Sequence, residues 1–153
     1  MTTETLTVVA RDIAAPIDTV YTYRLDGLNI PEYNPTVANL RRVDGKTGLG
    51  PGADYRFDIT LPGMGTFESM HRVAEAEFPK WIVIETGNPP LMAREENVFT
   101  PTSDGGTHIE FRIMVAVPDE AKEGIPFIEK TSLDQLTMEV DNIQRILETR
   151  AHG

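Results

Sequence analysis

The sequence contains no cysteine, which removes disulfides and thiolate metal sites together. It has no apolar run approaching the roughly 18–20 residues that a membrane span requires, so no membrane insertion is expected. Positive charge is scarce, with 14 Lys and Arg against 24 Asp and Glu, a net charge of −10. A field of that sign repels phosphate backbones and anionic lipid surfaces. The basic residues are also scattered, Arg41-Arg42 being their closest pairing, and no nucleic-acid partner is expected. The opening MTTETLTVVARD has no basic segment leading into an apolar run and does not read as a secretory signal. A cytoplasmic place is therefore the default expectation. No Gly-x-Ser-x-Gly elbow or Rossmann glycine fingerprint is present. The glycine-rich stretches Gly48–Gly52 and Pro62–Gly65 lack the lysine and following helix of a phosphate loop and read as turns. His71, His108 and His152 show no local ligand spacing, so neither metal nor cofactor is expected.

What is present has globular composition, 40% hydrophobic and 25% charged over 153 residues, enough to bury one sizeable core. Residues 4–13 alternate loosely and are rich in β-branched side chains, an opening strand. Pro16 fits a helix start, with Ile17, Val20, Tyr21 and Leu25 following at helical spacing. Pro31 and Pro35 leave room between them for one short helical turn. From Leu40 the pattern is that of an antiparallel sheet. Its clearest alternation puts Ala53, Tyr55, Phe57, Ile59 and Leu61 on one face. Strands are expected over 66–78, 81–86, 92–101 and 107–117, with loops at Gly87–Pro90 and at Ser103–Gly106. Asp119, Glu120 and Glu123 read as a solvated acidic loop. From Gly124 onward Ile125, Ile128, Leu133, Leu136, Val140, Ile143 and Leu147 mark one long amphipathic helix. A one-faced sheet and a one-striped helix bury their apolar sides most simply against each other. The expectation is a single α+β domain over 1–153, with about six to seven antiparallel strands curved around the C-terminal helix and two short helices after the first strand.

The order of these elements, and the residues Ala15–Val20, Asn29–Pro35, Phe78–Trp81, Thr100-Pro101 through Thr107 and Val140–Glu148, resemble the START/birch-pollen-allergen superfamily (SRPBCC). Its polyketide cyclase/dehydrase-like branch is the nearest in pattern. The resemblance runs over nearly the whole chain and implies a helix-grip fold with a cavity between sheet and helix. It also implies a small hydrophobic ligand such as a polyketide, lipid or sterol-like molecule. The family often has Trp where this chain has Tyr33, and no catalytic motif is common to it. The fold's pocket entrance would place Tyr33 and Asn34 where they contact the ligand or merely cap the short helical segment.

Within that frame Tyr55, Phe57, Trp81, Phe99 and Phe111 are expected to point inward, as core or as the apolar lining of a small-molecule site. Phe127, Ile128 and Leu133 on the long helix have the same two readings. If Phe67 and Val73 face inward, alternation brings Ser69 and His71 inward too, where His71 could serve as general acid or base. The alternatives are a surface histidine after a bulge, or one hydrogen-bonded in the core. Arg94-Glu95-Glu96-Asn97 interrupts a strand with polar residues. If Phe99 is inward, Glu95 and Asn97 share its face, and a buried Glu95 would need His71, Tyr55 or a ligand hydroxyl as partner. A solvated edge strand is the competing reading. Three functions remain open: a carrier of a small apolar ligand, a cyclase, dehydrase or aromatase using His71 and Glu95 in the same cavity, or a protein-interaction module. Oligomeric state stays open as well.

Overall fold

A computed structural model describes residues 1–89 and 91–152. Pro90, assigned above to a loop, and the last residue of the expected domain, Gly153, lie outside them. Among the described residues seven strands form one sheet: β1 (Thr2–Ile13), β2 (Val37–Arg42), β3 (Asp54–Leu61), β4 (Gly65–Glu77), β5 (Trp81–Asn88), β6 (Leu91–Pro101) and β7 (Thr107–Pro118). Their order is β1-β7-β6-β5-β4-β3-β2, and every neighbouring pair is antiparallel. Between β1 and β2 come α1 (Ile17–Leu25), a 3-10 turn at Gly27–Asn29 and the one-turn α2 (Ile30–Tyr33). A second 3-10 segment, Asp119–Gly124, leads into α3 (Ile125–His152), 28 residues long.

The expected α+β layout is thus present, with two corrections of boundary. The acidic stretch Asp119–Gly124 winds into 3-10 turns with no buried residue, because Asp119 and Glu120 favour a helical N-terminus while nothing apolar anchors the segment. Gly87 and Asn88 continue β5 instead of forming a loop, since Gly87 pairs with both Met70 and Met92.

The core lies between one face of the sheet and α3. Leu136, Val140, Ile143 and Leu147 on α3 are fully buried, and they meet Ile13, Ile82, Ile84, Phe99, Ile109 and Phe111 from the sheet in one apolar cluster. Polar ties fix the C-terminal half of α3 to β1: Arg11 Nη1 donates to Gln144 at 2.8 Å and pairs with Asp141, and Ala14 N donates to Glu148. The N-terminal half has fewer partners, and Phe127 and Leu133 remain 43% and 48% exposed.

A bulge between Val73 and Glu75 shifts the register of β4 against β5. Before it, Ser69, His71 and Val73 are buried on the inner face; after it, Glu75 and Glu77 are solvent-facing. Trp81 opens β5. It pairs with Glu77 and Val98, donates its indole N–H to Glu77, and stands on the outer face, while Ile82 and Ile84 point into the core. The inward expectation for Trp81 is therefore corrected. WIVIET is apolar on both parities, so alternation alone does not choose between Trp81 and Ile82.

Close packing is felt most at Gly27. A Cβ there would stand 2.4 Å from Cε2 of the fully buried Tyr55. Gly27→Ala is expected to cost about 1–3 kcal/mol by overpacking, whereas Gly48→Ala, with nothing within 4 Å, should stay within about 0.5 kcal/mol. Urea titration of the two variants checks the contrast.

Candidate functional site

The inner face of the sheet and α3 do not meet everywhere. Toward the N-terminal half of α3 they leave a cavity of about 130 Å³, partly open to solvent. Its walls are Phe57 and Ile59 from β3, Ser69 and His71 from β4, Glu95 from β6, Ile113 from β7, and Gln135, Leu136 and Glu139 from α3. Arg24 and Asn34 close it from the side of the short helices. The wall is mixed, with aliphatic side chains on one part and a concentrated polar group on the other.

Arg24 organises that polar group. Helical spacing puts it on the face of Val20 and Tyr21, the buried side of α1, and only 2% of it is exposed. Its Nη2 pairs with Glu95, its Nε donates to Asn97 Oδ1 at 2.9 Å, and its Nη1 donates to Tyr33 Oη at 2.7 Å. Glu139 of α3 approaches Nη1 at 3.5 Å. The guanidinium lies over the rings of Phe111 and Tyr33, with Cζ 5.1 and 5.5 Å from their centroids. Asn97 also donates to Glu95, at 2.8 Å, and Asn34 Nδ2 donates to Glu139 at 2.7 Å and to Gln135 at 3.1 Å. Burial of a lone guanidinium would cost several kcal/mol; here each of its three nitrogens has an acceptor.

The titrating groups respond to this environment. Burial works against the charge on Arg24, but Glu95, Tyr33 and Glu139 outweigh it and hold the guanidinium above its ordinary value. Burial pushes the Glu139 carboxyl up to about 6, with Arg24 opposing and Glu95 adding to the rise. Burial, helped by Arg24, lowers His71 to about 3, so its imidazole is neutral. No hydrogen-bond partner for His71 Nε2 exists among the described residues.

The two shifts act oppositely on stability. The unfolded chain takes up a proton at His71 below about 6.5 while the folded chain does not until about 3, so this group erodes stability as pH falls through that window. Glu139, raised in the folded state, binds its proton earlier than in the unfolded chain and gains stability as pH falls through about 6. The stability difference between the native protein and His71→Leu is accordingly expected to move by about 2 kcal/mol against the native protein between pH 7 and pH 5. Chemical denaturation at both pH values measures it, and an unchanged difference contradicts neutral burial of His71.

Of the residues marked in the sequence, Asn34, Phe57, His71 and Glu95 line the cavity. Glu95 is 4% exposed in an interior strand, which removes the solvated-edge reading. Its partner is Arg24, not His71 or Tyr55. Tyr33 is fully buried, behind the wall instead of at an entrance, because its hydroxyl is held by Arg24. Tyr55 packs edge-on against His71, its cross-strand neighbour. Asn97, Phe99 and Phe111 form the layer beneath. Trp81 is on the other face. Phe127, Ile128 and Leu133 do not line the cavity: α3 contributes Gln135, Leu136 and Glu139 instead, because the helix turns that side, not its leading turns, toward Arg24. The Phe127 ring rests by the β3–β4 turn, 3.8 Å from where a Cβ on Gly63 would stand. Arg24, Gln135 and Glu139 are additions. Arg24 was visible as a charge four residues after Val20 on an otherwise apolar helix face; Glu139 had no comparable signal beyond its place between Leu136 and Val140.

Comparison with solved structures now bears on the architecture. A Streptomyces aromatase/cyclase, Zhui, superposes with a TM-score of 0.77 at 15% identity, covering 97% of this chain and 96% of that one. A START superfamily protein from Mycobacterium smegmatis superposes with a TM-score of 0.75 at 15% identity, over 94% and 97%. This chain has the helix-grip fold. A di-domain aromatase/cyclase of steffimycin biosynthesis, StfQ, gives a TM-score of 0.81 at 17% identity. The match covers 98% of this chain and 52% of that protein, so the helix-grip domain here spans about half its length. No family model matches the sequence, and no curated protein matches it. At these identities the likeness establishes the fold, and function has to be argued from the site. No helix among the described residues is long and apolar enough to cross a membrane.

Proposed function

We propose that this protein binds a small, largely apolar molecule between its sheet and α3, with one polar end lodged against His71 and Glu139. The observation that carries the reading is the cavity itself, walled by Phe57, Ile59, Ile113 and Leu136 on one part and by His71, Glu95 and Glu139 on another. In this reading Asn34, Phe57, His71 and Glu95 contact the ligand, and Tyr33, Tyr55, Asn97, Phe99 and Phe111 hold the wall in place.

The volume bears on what fits. A dry cavity of about 150 Å³ takes up benzene, so about 130 Å³ suits a single ring or a short chain. Drug-sized ligands occupy pockets of roughly 300–1,000 Å³. A polyketide or sterol would need the sparsely anchored N-terminal half of α3 to swing outward. A cytoplasmic location goes with this reading.

Native mass spectrometry of freshly purified protein tests it, with extraction of whatever is released. One small apolar molecule per chain, retained or taken up unaltered, is the expected result. Its loss in Ile113→Phe, whose larger side chain occupies the cavity, is expected too. Protein that takes up nothing, or an Ile113→Phe variant that binds as before, contradicts the proposal.

A second reading, a cyclase, dehydrase or aromatase in the same cavity, is favoured by one feature. Glu139, raised to about 6, lies in the range where a general base works well, and His71 offers a neutral imidazole to polarise a carbonyl. Zhui and StfQ, each an aromatase/cyclase, agree with such chemistry. Glu95 would then position Arg24 and leave proton transfer to Glu139. Turnover lost in both Glu139→Gln and His71→Leu, with binding kept, is the expected signature.

A further inference from the structure

The cavity wall has an unbalanced charge count. Arg24 is the one cation there, and it faces two carboxylates, Glu95 and Glu139. Glu95 takes the close contact, while Glu139 stands off at 3.5 Å and is 16% exposed at its side chain. His71 adds no charge, since burial and Arg24 keep it neutral.

The hydrogen-bond ledger has the same bias. All three nitrogens of Arg24 already donate, to Asn97, Tyr33 and Glu95. The Asn34 amide is spent on Glu139 and Gln135. Ser69 Oγ donates to Gly87 O, and Thr86 Oγ1 donates to Met70 O, so each hydroxyl is left with lone pairs only. His71, 5% exposed, lines the cavity as a neutral imidazole with one donor and one acceptor nitrogen, and favours neither sign. An anionic ligand would meet a guanidinium already ion-paired with Glu95, and a second carboxylate, Glu139, beside it. A donor finds acceptors on several sides.

We propose that the ligand of this cavity carries a cationic hydrogen-bond donor, a protonated amine on a small apolar body, which docks on Glu139 with Ser69 as a further acceptor. This rests on the ligand-binding reading above and adds the chemistry of the polar end. The groups that face Glu139 are Arg24 from α1, Tyr33 and Asn34 at the end of α2, His71 from β4, Glu95 from β6 and Gln135 on its own helix. Among them Arg24 is the one fixed positive charge. An arriving ammonium completes a two-against-two arrangement, provided Glu139 is ionised.

Isothermal titration with benzylamine, benzyl alcohol and benzoate, matched in size to the cavity, tests the proposal. At pH 7.5 benzylammonium is expected to bind at least tenfold tighter than benzoate and more tightly than the alcohol. Its advantage over the alcohol should shrink several-fold at pH 5, where Glu139 is protonated, and also in Glu139→Gln at pH 7.5. The wild-type pH comparison needs no variant, so a folding defect in Glu139→Gln does not shelter the idea. Benzoate binding as tightly as the amine, or an amine advantage unmoved by both pH and Glu139→Gln, overturns the cation proposal. The alcohol binding without any amine preference does the same and leaves the cavity reading standing. Failure of all three probes to bind overturns both.

Discussion

Arg24→Met is expected to lower the unfolding free energy by about 3–5 kcal/mol, the largest effect of any single substitution in the polar centre. The reason is not the loss of one ion pair but what remains. Glu95 and Glu139 would sit buried with no counter-charge, and removal of one partner from a buried pair commonly costs that much. Much of the loss should be recovered when Glu95 is neutralised in the same chain. Arg24→Met with Glu95→Gln is therefore expected to be more stable than Arg24→Met alone, even though it carries one more substitution. Urea unfolding of the two single variants and the double variant gives the coupling. Additive losses would mean that Arg24 and Glu95 do not depend on each other and that the buried centre is mis-described.

The second large effect concerns α3. Leu136→Ala is expected to cost about 2–5 kcal/mol, as for a fully enclosed leucine, because Leu136 is buried between the core and the cavity. Leu133→Ala, one turn earlier on the same stripe, should stay within about 0.5 kcal/mol, since Leu133 is exposed. Thermal and urea melts of the two variants separate the anchored part of α3, from Leu136 onward, from the loosely held turns before it. Equal losses would contradict that division, and with it the idea that the leading turns of α3 can move aside for a larger ligand.

Much of this architecture was legible in the residues. β3 announced itself through Tyr55, Phe57 and Ile59, because only one parity is apolar there. The Leu136, Val140, Ile143 and Leu147 stripe marked the buried face of α3 for the same reason. Alternation through Phe67 and Val73 also placed His71 correctly on the inner face. It failed at Trp81, where both parities are apolar and the pairing of Ile82 and Ile84 with the inward Asn97 and Glu95 sets the outcome. The periodicity of α3 likewise continues through Leu133 beyond the point where anything covers it, and a helical repeat does not report how far the opposite layer extends. The polar centre was half visible. Glu95 and Asn97 interrupted a strand and invited a search for partners, but the partner comes from α1, 71 residues earlier. Only assembly of the sheet against the short helices brings Arg24 to them.

The central claim is that the cavity facing Arg24, His71 and Glu139 is where a small molecule binds. A second depression lies on the outer face of the sheet, bounded by Trp81, Val83, Arg94 and Val98, and it supplies the contrast. Methyl NMR of the protein titrated with benzyl alcohol distinguishes them directly. Shifts concentrated at Ile30, Ile59, Ile113 and Leu136, which line the inner cavity, with Val83 and Val98 unmoved, are the expected result. Shifts confined to Val83 and Val98, with the inner methyls silent, would contradict it.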